Sequence, residues 1–145
     1  SFGTFEHYRY PPRLKICQAH VDLVRPGGLV IISVPNILFL PHEILKLLLI
    51  ARRKWFLGYE GSLSRGELQR IGRRLGLLDL RIAGSSWLSD VRRYKHIVRD
   101  TQTFQRWFCA GKSAKESDVN RKPEAHQWLD DYLGHDIVLL GMKPK

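Results

Sequence analysis

The 145-residue sequence holds six histidines, and histidine is the residue type that both binds metals and moves protons near neutral pH. Glu6-His7 and His42-Glu43 each place a histidine beside a carboxylate. Adjacent side chains diverge along a helix or strand, so neither pair can clasp an ion alone, and no H-x-x-x-H or H-E-x-x-H spacing occurs. No metal ligand is therefore expected. G-x-S-x-G is absent, which removes the usual signature of a strand-to-helix serine nucleophile. Neither G-x-G-x-x-G nor a Walker A loop is present. Gly27-Gly28 precedes a β-branched run instead of following one, which suits a tight turn better than a phosphate loop. Cys17 and Cys109 are the only cysteines, too few for a disulfide framework or a multi-thiolate zinc site.

The elements that must hold any site are legible in the hydrophobic pattern. Pro11-Pro12 opens a helical stretch with Leu14, Cys17, Val21 and Val24 at spacings of three and four. Arg25-Pro26-Gly27-Gly28 ends it in a turn, and Leu29–Val34 follows as a continuous apolar run, the pattern of a strand buried on both faces. Helix, turn and buried strand in this order are half of a parallel α/β unit. Ser64-Arg65-Gly66-Glu67 has the spacing of a capping box, with Leu68, Ile71 and Leu75 as the apolar stripe behind it. Leu78, Leu80 and Ile82 alternate with Asp79 and Arg81 and predict a half-buried strand at or near a sheet edge. Ile137–Leu140 predicts a last buried strand. Between these lie helical pieces around 89–98, 101–108 and 124–133, with a polar loop at 110–123.

The segment Ile37–Leu57 stands apart, with fourteen of its 21 residues apolar. A helix is expected over about His42–Arg53, apolar around most of its circumference. Pro41, His42, Glu43 and Lys46 interrupt it too often for a membrane-spanning helix, which needs about 20 predominantly apolar residues.

Charge adds a partner class. The formal net charge is +10, and the stretch from Arg52 to Arg106 carries 13 Lys and Arg against 5 Asp and Glu. Trp55, Trp87, Tyr94 and Trp107 are interleaved with it, a mixture that can bind single-stranded nucleic acid. A solvated basic face of an ordinary enzyme ranks above that reading. The low cysteine count and the absence of an apolar leader pattern at the start suit a cytoplasmic setting.

One run is far more specific than any of these patterns. Ser1-Phe2-Gly3-Thr4-Phe5-Glu6-His7, a helix, and then Leu23-Val24-Arg25-Pro26-Gly27-Gly28-Leu29-Val30-Ile31-Ile32-Ser33-Val34-Pro35-Asn36 resemble, in order and spacing, the second half of class I S-adenosylmethionine-dependent methyltransferases. The pattern there is a strand ending before "LEH", a helix, and "L-K-P-G-G-x-L-x-I-S-V-P-N". Ser64–Leu75, Leu78–Ile82 and Gly134–Pro144 are similar to that family's next helix, next strand and closing antiparallel strand.

The resemblance implies an α/β fold: the C-terminal portion of a Rossmann-like domain, with a partial, mostly parallel sheet and an antiparallel last strand lying between the other two. Residues 1–145 would form one truncated domain with insertions at about 37–63 and 84–134. The family's first three strands and glycine-rich loop would precede Ser1, so the 145-residue chain alone should be inactive. The implied cofactor is S-adenosyl-L-methionine, with Phe2 and Gly3 at the end of the family's fourth strand, beside its sulfonium and adenine. Glu6, Pro35 and Asn36 would lie on the substrate side, with His7 as the acid–base candidate. A small-molecule or lipid-like substrate is expected, with a peripheral membrane contact through 37–57. A membrane-surface module with a degenerate core and a basic nucleic-acid-binding domain are the alternatives.

Overall fold

The computed structural model describes residues 1–88, 90–92 and 127–145. The helix expected around 101–108 and the loop at 110–123 lie outside the described residues, as does most of the helix expected at 89–98.

In chain order, a 3-10 turn at Phe5–His7 leads into α1 (Pro12–Asp22), β1 (Leu29–Pro35), α2 (Leu40–Ala51), α3 (Arg65–Arg74), β2 (Leu78–Gly84), α4 (Gln127–Leu133) and β3 (Asp136–Met142). The start of α1 follows from Pro12, which needs no N–H partner in the first turn. In α3, the Ser64 hydroxyl accepts from the Glu67 N–H at 3.2 Å, and the Glu67 carboxylate accepts from the Ser64 N–H at 2.9 Å. The expected capping box is present in full. The helix expected over 42–53 forms two residues earlier, because Pro41 sits inside its first turn instead of before it.

The strands form one sheet in the order β1-β3-β2. β3 runs antiparallel to both neighbours, with Ile32 opposite Leu139 and Ile82 also opposite Leu139. The last strand is antiparallel and lies between the other two, as the resemblance implies, so β3 and not Leu29–Val34 is the central strand. One expectation needs correction: among the described residues the named ladders are not mostly parallel but both antiparallel, because the last strand inserts between two strands that point the same way and separates them. A parallel contact survives on the other side of β1, where Phe2 bridges Ser33. There the Ser33 N–H donates to Ser1 O at 2.9 Å and the Gly3 N–H donates to Ser33 O. Residues 1–3 thus run alongside β1 as a short strand end.

Helices α1 and α3 cover one face of the sheet. Cys17 and Val21 from α1, Leu68 and Ile71 from α3, Val30, Ile32 and Val34 from β1, and Ile137 and Leu139 from β3 form one core with Phe5. The alternation along β1 puts every second residue into it. Gly72 lets α3 approach the sheet closely, since a Cβ there would sit 2.9 Å from Leu80 Cδ2. Burial pushes the Cys17 thiol up to about 11, so this cysteine is an inert core residue. A second, smaller cluster gathers Phe39, Leu45 and Leu49, with Trp55 and Trp87 packed against it.

Candidate active site

Strands that point the same way deliver their carboxyl ends to one edge of the sheet, where α/β proteins bind ligands. That edge collects Gly3, the end of β1 at Pro35, the end of β2 at Gly84, and the start of β3, where Asp136 pairs with Pro35. The 3-10 turn carries Glu6 and His7 out from the strand end at Gly3. The loop before α3 folds back over them: the Gly61 N–H donates to Glu6 O at 2.9 Å, and Leu63 pairs with the Asn36 backbone.

His7 is half-exposed, and its Nδ1 lies 3.0 Å from the Tyr59 carbonyl oxygen. A carbonyl can only accept, so Nδ1 carries a proton, and in the neutral ring Nε2 is the nitrogen with the lone pair. Nε2 stands 3.8 Å from Glu6 Oε1. Glu6 is buried, and among the described residues its Oε2 has no hydrogen-bond partner. Burial raises the Glu6 carboxyl above its ordinary value; the nearby Glu60 and Asp136 push the same way, against the Glu6 backbone hydrogen bond and His7.

Behind these residues lies a polar cluster that sequence reasoning did not find. His42 Nε2 donates to Glu60 Oε1 at 2.6 Å, with the two side chains only 4% and 3% exposed. The ring of His135 meets that of His42 edge-to-face at 5.0 Å and that of Phe39 at 5.3 Å. Burial pulls the His135 imidazolium down, but Asp136 at 3.1 Å, with Asp90 and Glu60, more than offsets this and holds it above the ordinary histidine value. The Asp90 carboxylate accepts from Ser85 Oγ at 2.6 Å and from the His135 N–H at 3.0 Å. His42-Glu43 was the visible pair, yet Glu43 binds Lys46 Nζ at 2.8 Å and His42 finds Glu60 eighteen residues on. Only the His135-Asp136 neighbourhood just before a strand could have signalled the cluster. No group of three or more His, Cys, Asp or Glu among the described residues is arranged to hold a metal ion.

The other sequence candidates separate. Phe2 is 72% exposed beside β1, and Gly3 adopts the left-handed φ of +62°. Asn36 is 0% exposed, and its side chain is fully used. Its Nδ2 donates to Tyr132 O at 2.9 Å and Gly134 O at 3.0 Å, while its Oδ1 accepts from the Leu38 N–H at 3.1 Å. Asn36 thereby ties the end of β1 to the turn before β3, and Pro35 shapes the same strand end. Trp55 and Trp87 are packed in the second apolar cluster instead of presenting stacking faces, while Tyr94 and Trp107 lie outside the described residues. A separate cavity of about 360 Å³ opens between α1 and α3, lined by Tyr10, Arg13, Tyr59, Arg70 and Arg74 among others. Two of its guanidinium groups are already engaged: Arg13 donates to Tyr8 O and Gly61 O, and Arg74 to the Tyr10 hydroxyl.

No protein-family profile matches the chain, and no curated protein matches it. Solved structures do share its fold. The chain is similar to phosphoethanolamine N-methyltransferase 2 of Haemonchus contortus, solved with S-adenosyl-L-methionine, at 17% identity and a TM-score of 0.50 over 100% of this chain and 32% of that one. It is also similar to a SAM-dependent methyltransferase from Archaeoglobus fulgidus, at 14% identity and a TM-score of 0.50 over 95% of this chain and 55% of that one. The chain therefore has the fold of part of such methyltransferases, and it spans about a third to a half of the length of these two. Among the described residues, no helix is long and apolar enough to cross a membrane.

Proposed function

We propose that this chain is the strand-end, substrate-facing part of a S-adenosyl-L-methionine-dependent methyltransferase that acts on a small or lipid-like molecule. The observation that carries this reading is the parallel Phe2–Ser33 bridge. It aligns residues 1–3 with β1, so that Phe2, Gly3, Glu6 and His7 reach the sheet edge where Pro35 and Asn36 end β1, in the order the family resemblance implies.

The residues present fit one side of that cofactor. Phe2 offers an exposed aromatic face, Gly3 offers backbone without a Cβ, and Glu6 Oε2 is a buried acceptor with no partner among the described residues. When bound, the cofactor supplies an electrophilic methyl group on a sulfonium. His7 Nε2, the lone-pair nitrogen of the neutral ring whose Nδ1–H donates to the Tyr59 carbonyl, is placed to take the proton that an attacking hydroxyl or amine must lose. Glu6, 3.8 Å away, then faces the imidazolium so formed. Asn36 holds the strand end rigid beneath them, and this positioning is the main thing a methyl transfer asks of a protein.

Calorimetric titration with S-adenosyl-L-methionine tests the reading. The 145-residue chain should bind more weakly than micromolar, and the protein carrying this chain with its preceding strands should bind at micromolar affinity or better. In that longer protein, His7→Gln should leave cofactor binding intact and lower turnover. No cofactor binding by the longer protein would overturn the proposal.

A further inference from the structure

Helix α2 is inside out. A surface helix ordinarily buries its apolar stripe and shows its charges to water. Here His42 and Lys46 are buried, along with Leu45 and Leu49, while Leu40, Ile44, Leu47, Leu48 and Ile50 face outward, Leu47 at 63% exposure. The inversion is anchored by ion pairs and hydrogen bonds. His42 binds Glu60, and Lys46 Nζ donates to Glu43 Oε1 at 2.8 Å and to Ser62 Oγ at 3.1 Å. Every residue of α2 that is exposed is apolar, and the three residues that follow, Arg52, Arg53 and Lys54, are exposed cations. Ile37 and Leu38, also exposed, continue the apolar surface at the other end.

We infer that this face of α2 is a docking surface for an anionic membrane, with the helix lying in the plane of the lipid headgroups. Twelve residues make a helix of about 18 Å, far too short to span a bilayer but ample for in-plane insertion of one apolar side. The basic triplet at its end supplies the attraction that selects an anionic surface. A second copy of this chain is a poorer occupant, because each copy carries a net charge of +10 and like charge opposes pairing. α2 begins four residues after Asn36, so the docked surface adjoins the sheet edge at which the ligand site is proposed. The inference itself rests on α2 alone and not on the catalytic reading.

The test is flotation of the 145-residue chain with vesicles of phosphatidylcholine, with and without one-third phosphatidylglycerol. The anionic vesicles should carry the chain and release it as salt rises, and the neutral ones should not. The combined variant Ile44→Ser, Leu47→Ser, Leu48→Ser should lose the binding with its thermal midpoint unchanged. Neutralising Arg52, Arg53 and Lys54 to Gln should weaken binding by roughly fivefold per residue, on the order of a hundredfold together. Absence of binding by the parent chain would overturn the inference. So would unfolding of the serine variant, which would make the face core, or a concentration-dependent dimer of the parent that the serine variant disperses.

Discussion

Helices α2 and α3 are nearly the same length and sit on either side of one loop, yet they are built on opposite plans. In α3, Leu68 and Ile71 enter the core, Arg70, Arg73 and Arg74 are exposed, and a capping box fixes the first turn. In α2, a histidine and a lysine face inward beside Leu45 and Leu49, while Leu40, Ile44, Leu47, Leu48 and Ile50 face out. The hydrophobic effect alone would have turned α2 over. What holds it is a pair of charged hydrogen bonds to the 60–62 loop, His42 to Glu60 and Lys46 to Ser62, with the Glu43–Lys46 pair inside the helix beside them. A helix held against its own hydrophobic preference keeps apolar surface exposed, which a fold gains nothing from unless that surface meets something.

Substitutions of one residue type in the two helices should give opposite results. Leu68→Ala, at a site 1% exposed, should cost about 2–5 kcal/mol in urea unfolding, as large-to-small core changes do. Asn36→Ala should come next, at about 1–3 kcal/mol, because the carbonyls of Tyr132 and Gly134 lose their donor in a buried site. Ser64→Ala, which removes the α3 cap, should cost about 1 kcal/mol. Glu6→Gln tests the strand end by its pH dependence. The Glu6 carboxyl is raised above 4.5, so the folded state holds the proton more tightly than the unfolded one. Its contribution to stability is present below that ordinary value and is lost as pH rises through the raised one. The variant should therefore be more stable than the parent near neutral pH, with the advantage vanishing in acid-to-neutral unfolding series as the pH approaches 4. Leu47→Ser on α2 should change stability least, by less than about 0.5 kcal/mol, while reducing vesicle binding. If Leu47→Ser costs as much as Leu68→Ala, the contrast between the helices fails.

The parts of this fold legible in the sequence are those decided locally. The α3 cap needs only a serine and a glutamate three residues apart, and β1 is marked by an apolar run, interrupted only at Ser33, between a Pro-Gly-Gly turn and Pro35. The antiparallel last strand came from resemblance, since nothing in Ile137–Leu140 itself states its direction. The rest depends on partners distant in the chain. Asn36 reads as a strand-end residue on the substrate side, yet its amide is held by carbonyls nearly a hundred positions later. Leucine-rich α2 reads as apolar all round, and which side is buried is decided by Glu60 and Ser62, outside the helix. His7 was singled out through the family resemblance alone, and the structure places it in the 3-10 turn just after residues 1–3.

The account stands most directly on whether the strand end at Phe2–His7 faces the cofactor. Backbone amide NMR of the 145-residue chain, titrated with S-adenosylhomocysteine to about millimolar concentration, measures this without requiring catalysis or a known methyl acceptor. The account predicts shifts concentrated at Phe2, Gly3, Glu6 and His7 and at the end of β1, with the Arg70–Arg74 side of α3 unmoved. Shifts confined to the arginine-lined cavity between α1 and α3, or none at all, would contradict it.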